Sequence, residues 1–78
     1  MSKNNFEEIT YQEIFAHIKN KLKSNNLSIK KLSLNCDMDR RSIHRMLNGS
    51  REPKVNTLIR IIRDGLNMPL SEFFKDFD

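Results

Sequence analysis

The feature that most constrains the fold is the spacing of apolar residues, which recur every three or four positions along most of the chain. In the first such segment they lie at Tyr11, Ile14, Phe15, Ile18 and Leu22. At 100° per residue these side chains share one face of a helix. The chain has only two glycines and two prolines, so few positions interrupt this pattern. The spacing therefore predicts an all-α protein.

Capping residues mark where the predicted helices begin. Thr10 and Glu13 have the spacing of a capping box at the start of the first helix, and Ile9 can pack on Ile14. Ser28 is placed to act as the N-cap of a second helix with the sequence IKKLSLNC. Two capped helices are therefore expected before residue 37.

Three further helices follow the same apolar spacing. The third has Asp39 as its N-cap and covers 39–48, where Asn48-Gly49 ends it because glycine favours the left-handed conformation after a helix. The fourth is expected over 56–64 with Gly65 as its cap, and Pro69 suits the first turn of a last helix. The prediction is a compact bundle of about five short helices, with a polar tail at 1–8 and one domain at 9–78.

The composition argues against several other classes of protein. The single cysteine, Cys36, excludes an internal disulfide, and the two histidines give no zinc-ligand spacing. No apolar stretch approaches the ~20 residues of a membrane helix, and the start MSKNNFEEIT is not a signal peptide. No nucleophile–base pair, carboxylate pair or phosphate loop is visible. We therefore expect a cytoplasmic protein that is not an enzyme, with no metal, cofactor, membrane association or small-molecule ligand.

The net charge is concentrated in one part of the chain. Residues 28–54 hold seven basic and three acidic side chains, which accounts for the whole net charge of +4. Lys30 and Lys31 open the second helix, and Arg40 and Arg41 open the third, where the helix dipole disfavours cations by ~0.3–1 kcal/mol each. For any one of these residues an ordinary solvated surface is an equally good explanation. The four together favour a nucleic acid, whose phosphates or base edges would meet both helix starts.

The outward face of the third helix is strongly basic. Ile43, Met46 and Leu47 form its inward face, so the opposite direction runs through Arg41, Arg45 and Asn48, with His44 close by. Arginine is the commonest bidentate reader of guanine in the major groove. This face therefore predicts contacts to DNA bases, although an exposed histidine is as often a plain surface residue.

From Leu27 to Phe74 the chain resembles the Cro and phage-repressor type of helix-turn-helix protein. The resemblance is carried by LSIKKLSLNCDMDRRSIHRMLNGSREP, NTLIRII and GLNMPLSEFF. Ser33 stands where the family has a small residue between crossing helices, and Ile43 matches its apolar position in the recognition helix. Three features depart from the pattern. Asp37 replaces a glycine in the turn, Ile29 replaces a polar residue, and IIRDGLNM is one residue longer than usual.

The resemblance implies a lambda-repressor-like fold in which the second helix crosses the DNA backbone and the third lies in the major groove. With the exposed face described above, the expected base contacts are Arg40, Arg41, His44 and Arg45. The expected phosphate contacts, which include neighbours of the family's positions, are Ser28, Lys30, Lys31, Ser42, Asn48, Arg51 and Lys54.

The predicted function is that of a sequence-specific regulator, a repressor that binds a pseudo-palindromic double-stranded DNA operator as a homodimer. One recognition helix reads too few base pairs for specificity in a genome, and paired half-sites solve this in the family. Leu70, Phe73, Phe74 and Phe77 form one stripe at the end of the chain, and the expected dimer interface is Phe73, Phe74 and Phe77. Alternatively, Leu70, Phe73 and Phe74 complete the monomer core.

A second hypothesis is that the chain is a protein-interaction module. It would then be an antitoxin, or another helical component, of a toxin–antitoxin or restriction–modification operon. A purely structural helical module would show no salt-sensitive DNA binding, which distinguishes it from the leading hypothesis.

Overall fold

Five α-helices, and no strands, make up the part of the chain that the structure describes, residues 10–77 of a computed structural model. The prediction of an all-α bundle of about five short helices is confirmed. In chain order the helices are α1 (Tyr11–Ser24), α2 (Ile29–Cys36), α3 (Arg40–Leu47), α4 (Val55–Arg60) and α5 (Leu70–Lys75). The predicted tail at 1–8 lies outside the described residues.

Both predicted caps of the first two helices are present. The Thr10 hydroxyl accepts a bond from the Glu13 amide at 3.2 Å, and the Glu13 carboxylate accepts one from the Thr10 amide at 3.1 Å. Ser28 Oγ accepts from the Lys31 amide at 3.0 Å. Local hydrogen bonds therefore fix where α1 and α2 start. The predicted contact of Ile9 lies outside the described residues.

The turn between α2 and α3 is short and contains a strained residue. Asp37 has a φ of +56°, in the left-handed region that favours glycine. The resemblance placed the family's glycine at this position, and aspartate tolerates the conformation better than most side chains. Ser33, on the inner face of α2, is buried as a small residue at a helix crossing should be.

The third helix begins where predicted, but without a capping hydrogen bond from a side chain. Asp39 occupies the N-cap position, but its side chain makes no capping hydrogen bond. The predicted N-cap residue is therefore correct, and the Asp39 carboxylate does not bond to the α3 amides. The end of α3 follows the prediction, since Gly49 has a φ of +83°.

The fourth helix starts one residue earlier than predicted, at Val55, and its last part is a π turn (Ile61–Gly65). The Leu66 amide donates to the Ile61 carbonyl at 2.8 Å, a separation of five residues instead of four. A π turn accommodates one extra residue, and it falls in the stretch that is one residue longer than the family pattern.

The prediction that Gly65 caps the fourth helix is wrong, because Gly65 is the last residue of the π turn and Leu66 is the C-cap. The left-handed residue is Asn67, with a φ of +58°. Gly65 is instead buried against α2, and a Cβ atom there would lie 2.6 Å from Leu32 Cδ1. Close packing, and not backbone conformation, explains this glycine. Pro69 occupies the N-cap of α5 and not its first turn.

The core lies where α1, α2, α3, the π turn and α5 meet. Its fully buried side chains include Ile18, Leu32, Ile43, Ile61, Ile62 and Phe73. Phe73 has 0% of its surface exposed, so it packs inside one chain and cannot form the dimer contact expected of it. Phe74 and Phe77 are half-buried.

Helix α5 is held on α1 by a polar cluster to which the sequence pattern gave no role. His17 Nε2 lies 3.2 Å from the Phe73 carbonyl oxygen and 3.2 Å from Asp76 Oδ2. Lys21 Nζ lies 3.3 Å from the same carboxylate oxygen. The Phe77 ring packs edge-on against His17, with centroids 5.0 Å apart. These contacts occupy part of the surface of Phe77 within one chain.

The conformation of Asp37 leads to a stability prediction. Asp37→Ala should lower the free energy of unfolding by about 1 kcal/mol, because alanine is penalised in the left-handed region. Asp37→Gly should be neutral or stabilising, since glycine has no Cβ atom there. Asp37→Asn, which removes the charge but tolerates the conformation, is the control. Thermal or urea unfolding measures all three, and a clear loss of stability in Asp37→Gly would show that the carboxylate itself is required.

Candidate nucleic-acid interface

The outward face of α3 gathers most of the predicted base-reading residues. Arg40, Arg41 and His44 line one open concavity of about 610 Å³, together with Asp39. Arg45 is exposed on the same helix but does not line this concavity. Three of the four predicted base contacts are thus brought together on one surface, and the fourth projects beside them.

A second group of predicted residues surrounds a smaller pocket beside α3. Ser42, Arg51 and Lys54 line a cavity of about 230 Å³ whose wall also includes Met38 and Met46. Ser42 is half-buried, whereas both basic residues are exposed. Three predicted phosphate contacts, which the sequence spreads over thirteen positions, therefore lie around one opening.

The start of α2 carries the remaining basic group. Ser28, Lys30 and Lys31 are exposed there. Because Ser28 Oγ accepts its capping bond from an amide, the hydroxyl hydrogen stays available to donate to an anion. Asn48, the last predicted phosphate contact, is exposed just after α3.

The basic side chains of residues 28–54 have no ion-pair partner among the described residues. Within residues 10–77 the ion pairs are His17–Asp76, Lys21–Asp76 and Arg63–Asp64, and none involves this segment. The segment's excess of four positive charges therefore faces solvent. An exposed, unpaired basic surface of this kind attracts polyanions.

Side chains distant in sequence hold the α2–α3 turn, and the sequence pattern did not identify them. Arg60 Nε donates to the Cys36 carbonyl at 3.1 Å, and its Nη2 lies 3.4 Å from the Asp37 carbonyl. Asn35 Nδ2 donates to the Gly65 carbonyl at 3.1 Å. A cation at the carboxyl end of α2 also complements the helix dipole. These contacts become visible only when α4 and the π turn pack on α2.

The loop after α3 is also tied to the body of the protein. The Tyr11 hydroxyl donates to the Pro53 carbonyl at 3.0 Å. Pro53 lies between Arg51 and Lys54, so this bond from α1 positions the loop that carries both cations. No local sequence signal predicts a bond that spans 42 residues.

Other kinds of site receive little support from the described residues. Cys36 is buried, its thiol donates to the Leu32 carbonyl at 3.1 Å, and burial raises the pKa of the thiol. Such a thiol is a poor nucleophile. Over residues 10–77 there is no group of three or more histidine, cysteine or acidic side chains suited to a metal ion. None of the helices there is long and apolar enough to cross a membrane.

Two helices joined by a tight turn, the second exposing arginines, define a helix-turn-helix protein. A family model for the helix-turn-helix domain matches residues 18–73. Because this match covers more than half of the 78 residues, the chain belongs to the helix-turn-helix family, of the Cro and phage-repressor type. Searches of curated proteins and of solved structures gave no significant match. The chain is thus a DNA-binding transcriptional regulator that binds double-stranded DNA.

Proposed function

We propose that the protein is a sequence-specific repressor that binds a pseudo-palindromic operator as a homodimer. The observation that carries this proposal is the set of seven basic side chains on α2, α3 and the following loop, none of which has an ion-pair partner within residues 10–77. A regulator that covers its operator with this surface would block access to the DNA beneath it.

Base readout is assigned to the outward face of α3. Arg41 and Arg45 lie one turn apart, so they project side by side, and each can bind the two acceptors of a guanine. Arg40 and His44 line the same surface as Arg41 and are placed to contact neighbouring bases or phosphates. The apolar side of α3, with Ile43 fully buried, fixes the helix so that these side chains point outward.

Phosphate binding is assigned to groups on both sides of α3. Ser28, Lys30 and Lys31 lie at the start of α2, and Arg51 and Lys54 lie on the loop after α3. Ser42 and Asn48 supply neutral donors. Contacts of this type position a protein on the duplex and dominate its affinity without reading sequence.

The homodimer is assigned to an apolar groove on the α1, α4 and α5 side of the protein. Val55, Ile59, Leu70 and Phe74 line this groove of about 340 Å³ together with Ile14, and Val55 is 65% exposed. An exposed apolar surface of this kind is typical of a protein contact. Phe74 thus stays in the proposed interface, and Phe73 is excluded by its burial. Phe77 does not line the groove but packs against Phe74, with ring centroids 5.5 Å apart.

The same groove supports the second candidate function. An antitoxin needs an apolar surface for its protein partner besides its DNA-binding face, and the groove provides one. The two candidates differ in what covers Val55: a second copy of this chain in one case, a different protein in the other. The oligomeric state of the isolated protein distinguishes them.

The first prediction tests DNA binding by its salt dependence. Because phosphate contacts release counterions, the logarithm of the binding constant should fall linearly with the logarithm of salt concentration, by about 0.9 per phosphate neutralised. Lys30→Ala and Lys54→Ala should each lower that slope by about one and weaken all duplexes equally. Fluorescence anisotropy with a labelled duplex measures this. A binding constant that does not change with salt concentration would contradict the proposal.

A second prediction concerns sequence readout by α3. Arg41→Ala and Arg45→Ala should each cost ~1–3 kcal/mol on the cognate site and relax the preference at one base pair. Selection of binding sites from random duplex DNA, followed by affinity measurements, tests this. Arg63→Ala, an exposed arginine outside α2, α3 and the loop, is the matched control. If both α3 variants keep wild-type affinity and preference, base readout is assigned to the wrong residues.

A third prediction concerns the dimer. Val55→Asp should shift sedimentation toward monomer and weaken operator binding, because it places a charge in the proposed interface. Leu34→Asp is the matched control for sedimentation only, since Leu34 is 67% exposed and Val55 65% but Leu34 lies outside the groove, on the α2 face that carries Lys30 and Lys31. A wild-type protein that remains monomeric at high micromolar concentration, and binds a palindromic operator as one copy, would refute the dimer.

A further inference from the structure

A groove between α1 and the end of α3 shares only Asn48 with the surfaces assigned so far. It has a volume of about 460 Å³. One wall is formed by α1, with Gln12, Lys19, Asn20 and Lys23, and the other by Asn48 and Gly49. Asn48 is a proposed phosphate contact, so the groove borders the proposed DNA surface.

Two exposed lysines of α1 line this groove. Lys19 and Lys23 are one turn apart on the same face of the helix, and both are exposed. Within residues 10–77 neither has a carboxylate at ion-pair distance. Lys21, which lies between them in sequence, instead pairs with Asp76 at 3.3 Å on another side of the helix.

The end of α3 does not need these lysines as caps. The carbonyl groups of His44, Arg45 and Met46 already accept bonds from the amides of Asn48, Ser50 and Gly49, each at 3.0 Å. The left-handed Gly49 makes this closed arrangement possible. The lysine side chains are therefore available to a ligand that carries negative charge.

One end of the groove lies at the last turn of α1, a few residues before a proposed phosphate contact in the sequence. Lys23 lies in the last turn of α1, and the chain then turns back through Leu27, whose amide donates to the Leu22 carbonyl at 2.8 Å. The next residue is Ser28, the N-cap of α2. The groove thus extends from the α1 end that leads to Ser28 to Asn48 on the opposite wall.

We propose that Lys19 and Lys23 bind phosphates of the DNA backbone in this groove, next to Asn48. The inference rests on the proposed DNA-binding function and extends its footprint onto α1. Each ammonium group would neutralise one phosphate, and the Asn48 amide group would donate a hydrogen bond to the same strand. These contacts carry no base specificity, so they contribute equally on cognate and unrelated duplexes.

The test compares two variants that lose the same charge. Lys19→Gln/Lys23→Gln removes the groove lysines, and Arg63→Gln/Lys75→Gln removes two exposed cations that do not line the groove. The salt slope of duplex binding should fall by about 1.8 in the groove variant and change little in the control. Thermal unfolding checks that both variants remain folded.

Each other outcome overturns the inference. An equal fall of the salt slope in both variants would mean that the slope depends on the net charge of the protein and not on the groove. If the wild type has a steep slope and the groove variant has the same slope, Lys19 and Lys23 do not bind phosphates. The proposed DNA-binding function would still stand. A wild type that binds duplex DNA without salt dependence would instead contradict the proposed function, and the inference with it.

Discussion

The proposed DNA-binding surface depends on the turn between α2 and α3. Asp37 must hold a left-handed conformation there, with a φ of +56°. Arg60 stabilises the turn by donating to the carbonyl groups of Cys36 and Asp37. If this turn opened, α3 would lose its angle to α2, and the arginines on its outer face would no longer share a surface with the cations at the start of α2.

The molecule separates the residues that hold the fold from those proposed to bind DNA. Leu32, Ile43 and Ile61 are fully buried and fix α2, α3 and the π turn. The cations at the starts of α2 and α3 oppose the helix dipoles, and Asp39 makes no capping bond to offset them. The protein thus keeps locally unfavourable charges that an anionic partner would make favourable, which is typical of a binding surface.

Sequence patterns predicted the first three helices well because their signals are local. The capping box at Thr10, the cap at Ser28 and the glycine after Asn48 act within a few residues of each helix end. The predicted end of the fourth helix is wrong, because a glycine near the end of an apolar pattern is typical of a cap. The actual role of Gly65, a close approach to Leu32, depends on a residue 33 positions earlier, which no local rule detects.

The sequence by itself determined the helical class, the turn and the concentration of positive charge in residues 28–54, since periodicity, capping and charge are properties of neighbouring residues. Only the tertiary structure decided which residues meet. The apolar stripe predicted Phe73 as a dimer contact, but the packing of α5 on α1 buries it. The same packing places Asp76 beside His17. The packing of α1 against α3 placed the α1 lysines beside Asn48. Such contacts follow from how helices pack, and a stripe along one helix does not specify what covers it.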